Sequence, residues 1–112
     1  MVHVISREEL PGSTARRFEG HDYGANVSFF LSGTPPGKGA GLHTHPYAEV
    51  FVVQEGVLTF TVGDDTIEAA GGQIVVVPAG TPHGFVNPGE GLAVHVDIHT
   101  SGSMSTEWIG ED

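Results

Sequence analysis

Apolar residues along this chain come in short runs separated by glycine and proline. Residues 27–31, "VSFFL", are β-branched and aromatic, and 33–41, "GTPPGKGAG", read as a loop too rich in glycine and proline for regular structure. Residues 49–56 form a run ending at Gly56, 57–62 alternate with period two, and "GDD" at 63–65 supplies a hairpin turn. A short, edge-like strand, "TIEAA", follows. The run at 71–77, "GGQIVVV", is continuous and predicts a strand buried on both faces. After a turn at 78–82 come a strand at 83–87, a second turn, and a clean alternation over 92–100, "LAVHVDIHT". Before residue 100 no 3.6-residue apolar period is sustained, and 6–12 allow at most one helical turn. The pattern predicts an all-β chain, an antiparallel sandwich or barrel, in a single domain over 1–112. Residues 103–112 read as a short strand or extended tail whose Trp108 needs cover from the barrel or a partner chain.

Composition narrows the function classes. There is no cysteine, so disulfides, thiolate zinc sites and thiol nucleophiles are excluded. Fourteen acids against four bases give a formal charge of −10, which disfavours nucleic acid and anionic membranes as partners. The N-terminus lacks the apolar stretch of a signal peptide, and no run approaches the ~20 residues of a membrane helix. A soluble, cytoplasmic protein is the expectation.

The chemistry concentrates in "GLHTHPYAEV", residues 41–50. Side chains two apart on a strand share a face, so His43 and His45 point the same way, and an unbroken strand would add Glu49. Pro46 argues for a bend, which would swing the carboxylate towards the imidazoles. Two imidazoles and a carboxylate make a facial metal-binding set. Taken alone, the stretch also fits a polar, solvated strand face.

The surrounding spacing decides between these. Gly37, His43, His45, Glu49 and Gly56 in the first stretch, and Gly72, Pro78, Gly80, His83 and Asn87 in the second, match the two signature motifs of the cupin superfamily. The chain therefore resembles a small single-domain cupin, with motif 1 at 37–56 and motif 2 at 72–87. The resemblance implies an antiparallel double-stranded β-helix, or jelly-roll barrel. It also implies one divalent transition metal held inside by His43, His45, Glu49 and His83. Three imidazoles and one carboxylate suit Mn, Fe, Co, Ni or Zn and leave two positions vacant in an octahedron.

Parity with the ligands nominates Tyr47, Phe51, Val53 and Phe85 as cavity lining, with Tyr47 either a hydrogen-bond donor to substrate or a rim residue. His95, Asp97 and His99 share one face of 92–100, opposite Leu92, Val94, Val96 and Ile98. Either His95 lies near the metal as a proton shuttle, or the histidine face is solvated and the aliphatic face forms core. Tyr47 and His95 are thus the catalytic candidates. His3 and His21 receive no role, and no GxSxG elbow supports a serine hydrolase. The resulting expectation is a metal-dependent small-molecule enzyme of dioxygenase or oxygenase type. The alternatives are a metal-dependent isomerase, cyclase or lyase, and a non-catalytic binder of a small ligand. The resemblance also implies a homodimer, which the apolar segment 2–5, "VHVI", would suit.

Overall fold

A computed structural model describes residues 2–110 of the chain. Ten strands alternate along the sequence: β1 (Ala15–Glu19), β2 (Ser28–Thr34), β3 (Gly39–Thr44), β4 (Glu49–Glu55), β5 (Val57–Val62), β6 (Asp65–Ala70), β7 (Ile74–Val77), β8 (His83–Val86), β9 (Ala93–His99) and β10 (Glu107–Trp108). They form two five-stranded antiparallel sheets, ordered β1-β2-β9-β4-β7 and β10-β3-β8-β5-β6. Neighbours in these orders are mostly distant in sequence, as in a jelly roll that rolls hairpins across one another. Among the described residues, no helix is long and apolar enough to cross a membrane.

Between the sheets lies an apolar plug of Phe51, Val53, Leu58, Phe60, Ala69, Val75, Val77 and Ala93. Alternation along β4, β5 and β7 supplies it, since every second side chain points inward. Phe51 and Phe60 meet edge to face with centroids 4.9 Å apart, the geometry aromatic quadrupoles favour.

Several expectations need correction. The loop expected at 33–41 is shorter: β2 runs to Thr34, and β3 begins at Gly39. Gly39 fits because it has no side chain; a Cβ there would stand 1.9 Å from the Phe85 carbonyl oxygen. The run at 71–77 is not buried on both faces. Val75 and Val77 point inward, while Ile74 and Val76 are each 62% exposed, because the two sheets pack through their inner faces and leave the outer face of β7 to solvent. Strand β1, "ARRFE", was not anticipated, its arginines masking a strand that pairs with β2.

The most consequential correction concerns β9. Its aliphatic face does not make the core. Val94, Val96 and Ile98 lie half-buried on the outside, and His95, Asp97 and His99 are buried inside the barrel. The reading of this histidine face as solvated is therefore overturned. Strand polarity alone misleads here, because one part of the barrel interior holds a cluster of hydrogen-bonded polar side chains.

Candidate metal centre

His43, His45, Glu49 and His83 come together, with ligand atoms all within 4.8 Å of one another. All four side chains are buried. The set draws on both sheets. His43 ends the β3 segment that pairs with β8, directly opposite His83. His45 follows β3, and the chain then bends through 45–48 before Glu49 opens β4 in the other sheet. The unbroken strand through His45 and Glu49 does not occur; the bend at Pro46 carries the carboxylate across the barrel.

The three imidazoles are oriented in one way. Nδ1 of His43 lies 2.7 Å from the Gly41 carbonyl oxygen, that of His45 2.7 Å from Ser105, and that of His83 2.9 Å from Thr81. A carbonyl only accepts, so each Nδ1 carries a proton and each Nε2 is turned inward, that of His83 in hydrogen-bond reach of Glu49 Oε1. Backbone acceptors of this kind fix the tautomer of metal-binding histidines.

Glu49 Oε1 lies 3.0 Å from His45 Nε2 and 2.9 Å from His83 Nε2. Donors about 2.1 Å from an ion at right angles would be separated by about 3 Å. His45 Nε2 approaches Oε1 in a direction that makes no hydrogen bond, leaving a buried nitrogen without a partner. An orphaned buried nitrogen beside a carboxylate, with two further imidazole nitrogens turned inward, is chemistry that a divalent cation satisfies. The four residues could hold a metal.

The electrostatics follow from the same packing. Burial alone would raise the Glu49 carboxyl, but His45, His83 and His99 around it outweigh that and hold it far below the usual carboxylate range. Burial lowers His45, yet the Glu49 carboxylate and the Ser105 carbonyl outweigh it and raise the imidazole above its ordinary value. His43 is lowered by burial, which its bond to Gly41 only partly offsets.

Sequence reasoning assigned no role to His99, which belongs to this centre. Its Nε2 donates to Glu49 Oε2 at 3.2 Å, and its Nδ1 accepts from the Tyr47 hydroxyl at 2.6 Å. Tyr47 in turn accepts from the Ser105 amide at 3.0 Å. The Tyr47 hydroxyl is thus committed to His99, and burial pushes its pKa up. The i, i+2 spacing of His95, Asp97 and His99 was the available signal, but it did not reveal which face pointed in.

A cavity of about 500 Å³ opens onto the centre, lined there by His43, His45, Glu49 and His99. Phe85 lines it as expected, whereas Phe51 and Val53 lie in the apolar core and Tyr47 stands behind His99. His95 sits deeper, donating from Nδ1 to Asp97 Oδ1 at 2.5 Å and accepting from the Thr34 hydroxyl at 2.8 Å on Nε2. Trp108 covers His43 with ring centroids 4.8 Å apart, and β10 pairs with β3 to hold it there.

A double-stranded barrel with this buried cluster on the wall of its cavity defines a class of protein, and sequence comparison agrees. Residues 30–99 match the cupin domain family, and the chain belongs to it. A curated relative, the uncharacterized protein SCO3923 of Streptomyces coelicolor, is 37% identical over 71 residues, covering 63% of this chain and 68% of the relative. Among solved structures, an oxalate oxidase superposes with a TM-score of 0.79 at 19% identity, over 95% of this chain and 63% of that one. Bacillus subtilis oxalate decarboxylase, a protein with Mn(II) centres, superposes with a TM-score of 0.79 at 19% identity, over 91% and 30%. At such identities these likenesses speak to fold, and the chain spans less than two thirds of either enzyme's length.

Proposed function

We propose that this cupin is a metal-dependent enzyme acting on a small molecule, of dioxygenase or oxygenase type, with His43, His45, Glu49 and His83 as ligands of one divalent transition metal. The observation that carries the reading is the shared tautomer of the three histidines, which turns three Nε2 atoms and one carboxylate oxygen onto a common point. When bound, the ion would supply positive charge and vacant positions at the cavity wall. Mn, Fe, Co, Ni and Zn all suit the donor set, and a structural neighbour that holds Mn(II) supports manganese among them.

The chain's own residues do the rest. His99 and Tyr47 hold the Glu49 carboxylate in orientation. Phe30 and Phe85 give the cavity apolar walls that exclude water from the bound molecule. Lys38, the sole lysine of a strongly acidic chain, lies on the cavity wall and favours an anionic ligand. The second reading is an isomerase, cyclase or lyase that polarises a carbonyl, favoured by the buried Asp97 carboxylate on the same cavity wall.

In this reading the protein is a cytoplasmic homodimer. Val2 and Val4 project apolar side chains into solvent, and strand β7 exposes Ile74 and Val76 at the end of its sheet. A monomer mass by light scattering would remove that part of the reading.

Elemental analysis of protein purified without added metal, beside His43→Ala/His45→Ala, tests the centre. About one ion per wild-type chain and none in the variant is expected. Wild-type protein that neither carries nor takes up metal would sink the proposal. Oxygen uptake on diketones, phenols and hydroxy acids then separates oxygenase from the second reading.

A further inference from the structure

Asp97 is a buried carboxylate with one oxygen in use. Among the described residues its single hydrogen bond comes from His95 Nδ1, and the side chain lines the main cavity. His95 is 1% exposed and is held from behind by the Thr34 hydroxyl. The bond directions are mutually consistent. Thr34 Oγ1–H donates to His95 Nε2, His95 Nδ1–H donates to Asp97 Oδ1, and Asp97 Oδ2 is left for the cavity. Along β9, Asp97 lies two residues from His99, about 7 Å at the usual strand rise. Beside it on the same sheet are His99 and, on the neighbouring strand β4, Glu49, and both act on it electrostatically. None of Thr34, His95 and Asp97 belongs to the four-residue metal cluster.

A carboxylate oriented by an imidazole that is itself oriented by a hydroxyl is a built acid–base group, since two rigid strands, β2 and β9, fix all three side chains. Asp97 lies outside the apolar cluster of Phe51, Leu58 and Phe60, and burying a carboxylate costs stability unless it is paired and hydrogen-bonded. Burial pushes the Asp97 carboxyl up, and the His95 bond only partly offsets this, which brings the group towards the pH at which a base works best.

We infer that Asp97 is the catalytic base of the cavity, with His95 and Thr34 as its positioning residues, and that it removes a proton from a small enolisable carbonyl acid. The inference rests on the proposed metal centre, which would hold the oxygen end of that molecule. The step is a plain proton transfer. Asp97 Oδ2 takes the hydrogen from the carbon beside the carbonyl, the C–H electron pair becomes the carbon–carbon double bond of the enolate, and the carbonyl oxygen takes the negative charge. Returning the proton to the same or another carbon regenerates the carboxylate. The cavity matches this class: Phe30 and Phe85 offer apolar walls to a short carbon chain, and Lys38 a cation to its carboxylate.

Pyruvate in D₂O is the probe, with zinc-loaded protein because zinc is diamagnetic. Proton NMR follows loss of the methyl signal, and Trp108 fluorescence reports zinc and pyruvate binding separately. Wild-type protein should exchange the methyl protons, and Asp97→Asn should do so at least 100-fold more slowly while binding zinc and pyruvate as before. Added formate should restore exchange in Asp97→Ala, which a merely structural carboxylate would not allow. His95→Gln and Thr34→Val should each slow exchange about tenfold and displace its pH profile. Apart from any turnover, the metal-free protein should show a far-downfield His95 ring N–H signal that Asp97→Asn abolishes. Exchange by Asp97→Asn at the wild-type rate overturns the inference, as does wild-type protein that binds zinc and pyruvate without exchange. A chain that takes up no zinc overturns the metal centre and the inference with it.

Discussion

The indole of Trp108 packs against the His43 imidazole with ring centroids 4.8 Å apart, and it is the chain's only tryptophan. Emission from this protein therefore reports on one place, the wall of the metal centre. Stoichiometric Co(II) or Ni(II) should quench most of it, because an ion on His43 would lie within a few ångströms of the ring. His43→Ala/His45→Ala should abolish the quenching. Trp108→Phe should keep the metal and lose the signal, as checked by elemental analysis.

Proton competition should give metal binding a particular pH profile. Imidazoles bind metal only when neutral. His45 is raised above its ordinary value of 6.5, so it holds its proton longer than His43 and yields it to the metal. His43 is lowered by burial and gives up its proton earlier. Affinity for Zn(II) should climb as pH rises from 6.5 through the titration of His45 and level off once that imidazole is neutral. Calorimetric titrations in two buffers of different ionisation enthalpy would count the released protons. A flat affinity over that range would contradict the assignment.

Glu49 sets a second pH effect, on the stability of the metal-free protein. Its folded pKa is depressed below its unfolded value of 4.5. The stability it contributes is present above the unfolded value and is lost as pH falls through the folded one. Glu49→Gln should remove that portion of the acid destabilisation and lie closest to wild type at the lowest pH. Denaturant midpoints measured across the acid range give the comparison.

Tyr47→Phe removes the donor that fixes the tautomer of His99 and the acceptor of the Ser105 amide. His99 can then turn, and Glu49 Oε2 loses its orientation. Metal affinity should fall about 10-fold or more, within the range seen for groups that support a ligand. Competition with a chelator of known affinity measures this. An unchanged affinity would make Tyr47 a packing residue only.

Gly39 and Gly41 lie in the same strand, β3, and should respond in opposite ways. A Cβ at Gly39 would stand 1.9 Å from backbone oxygen, and one at Gly41 meets nothing within 4 Å. Gly39→Ala should cost about 1–3 kcal/mol by forcing β3 away from β8. Gly41→Ala should lie within about 0.5 kcal/mol of wild type. Chemical denaturation of both variants checks the pair.

The motif glycines and histidines made the barrel and the four clustered residues legible in the sequence, because a metal cluster needs particular residues at particular spacings. The faces of β9 and β7 were another matter. Period-two alternation says that a strand has two faces, and an aliphatic face is normally the inner one. In β9 the interior includes a cluster of hydrogen-bonded polar side chains, so His95, Asp97 and His99 turned in and Val94, Val96 and Ile98 turned out. In β7 the aliphatic run "IVVV" looked doubly buried, yet the sheet has a partner on its inner face only. Both misreadings arise from tertiary surroundings that a local pattern does not encode. His99 went unassigned for the same reason, since its bond to Glu49 joins residues 50 positions apart.

The clustered residues draw on both sheets, with His43 and His83 on one, Glu49 on the other and His45 in the bend that joins them. A bound ion would then act as a rivet through the barrel. The sheets could not part without breaking a coordination bond, so loss of metal and opening of the barrel would share one slow step. Under this arrangement the lifetime of the folded chain in a metal-poor cell would be set by how often the rivet is lost, more than by the apolar core beneath it.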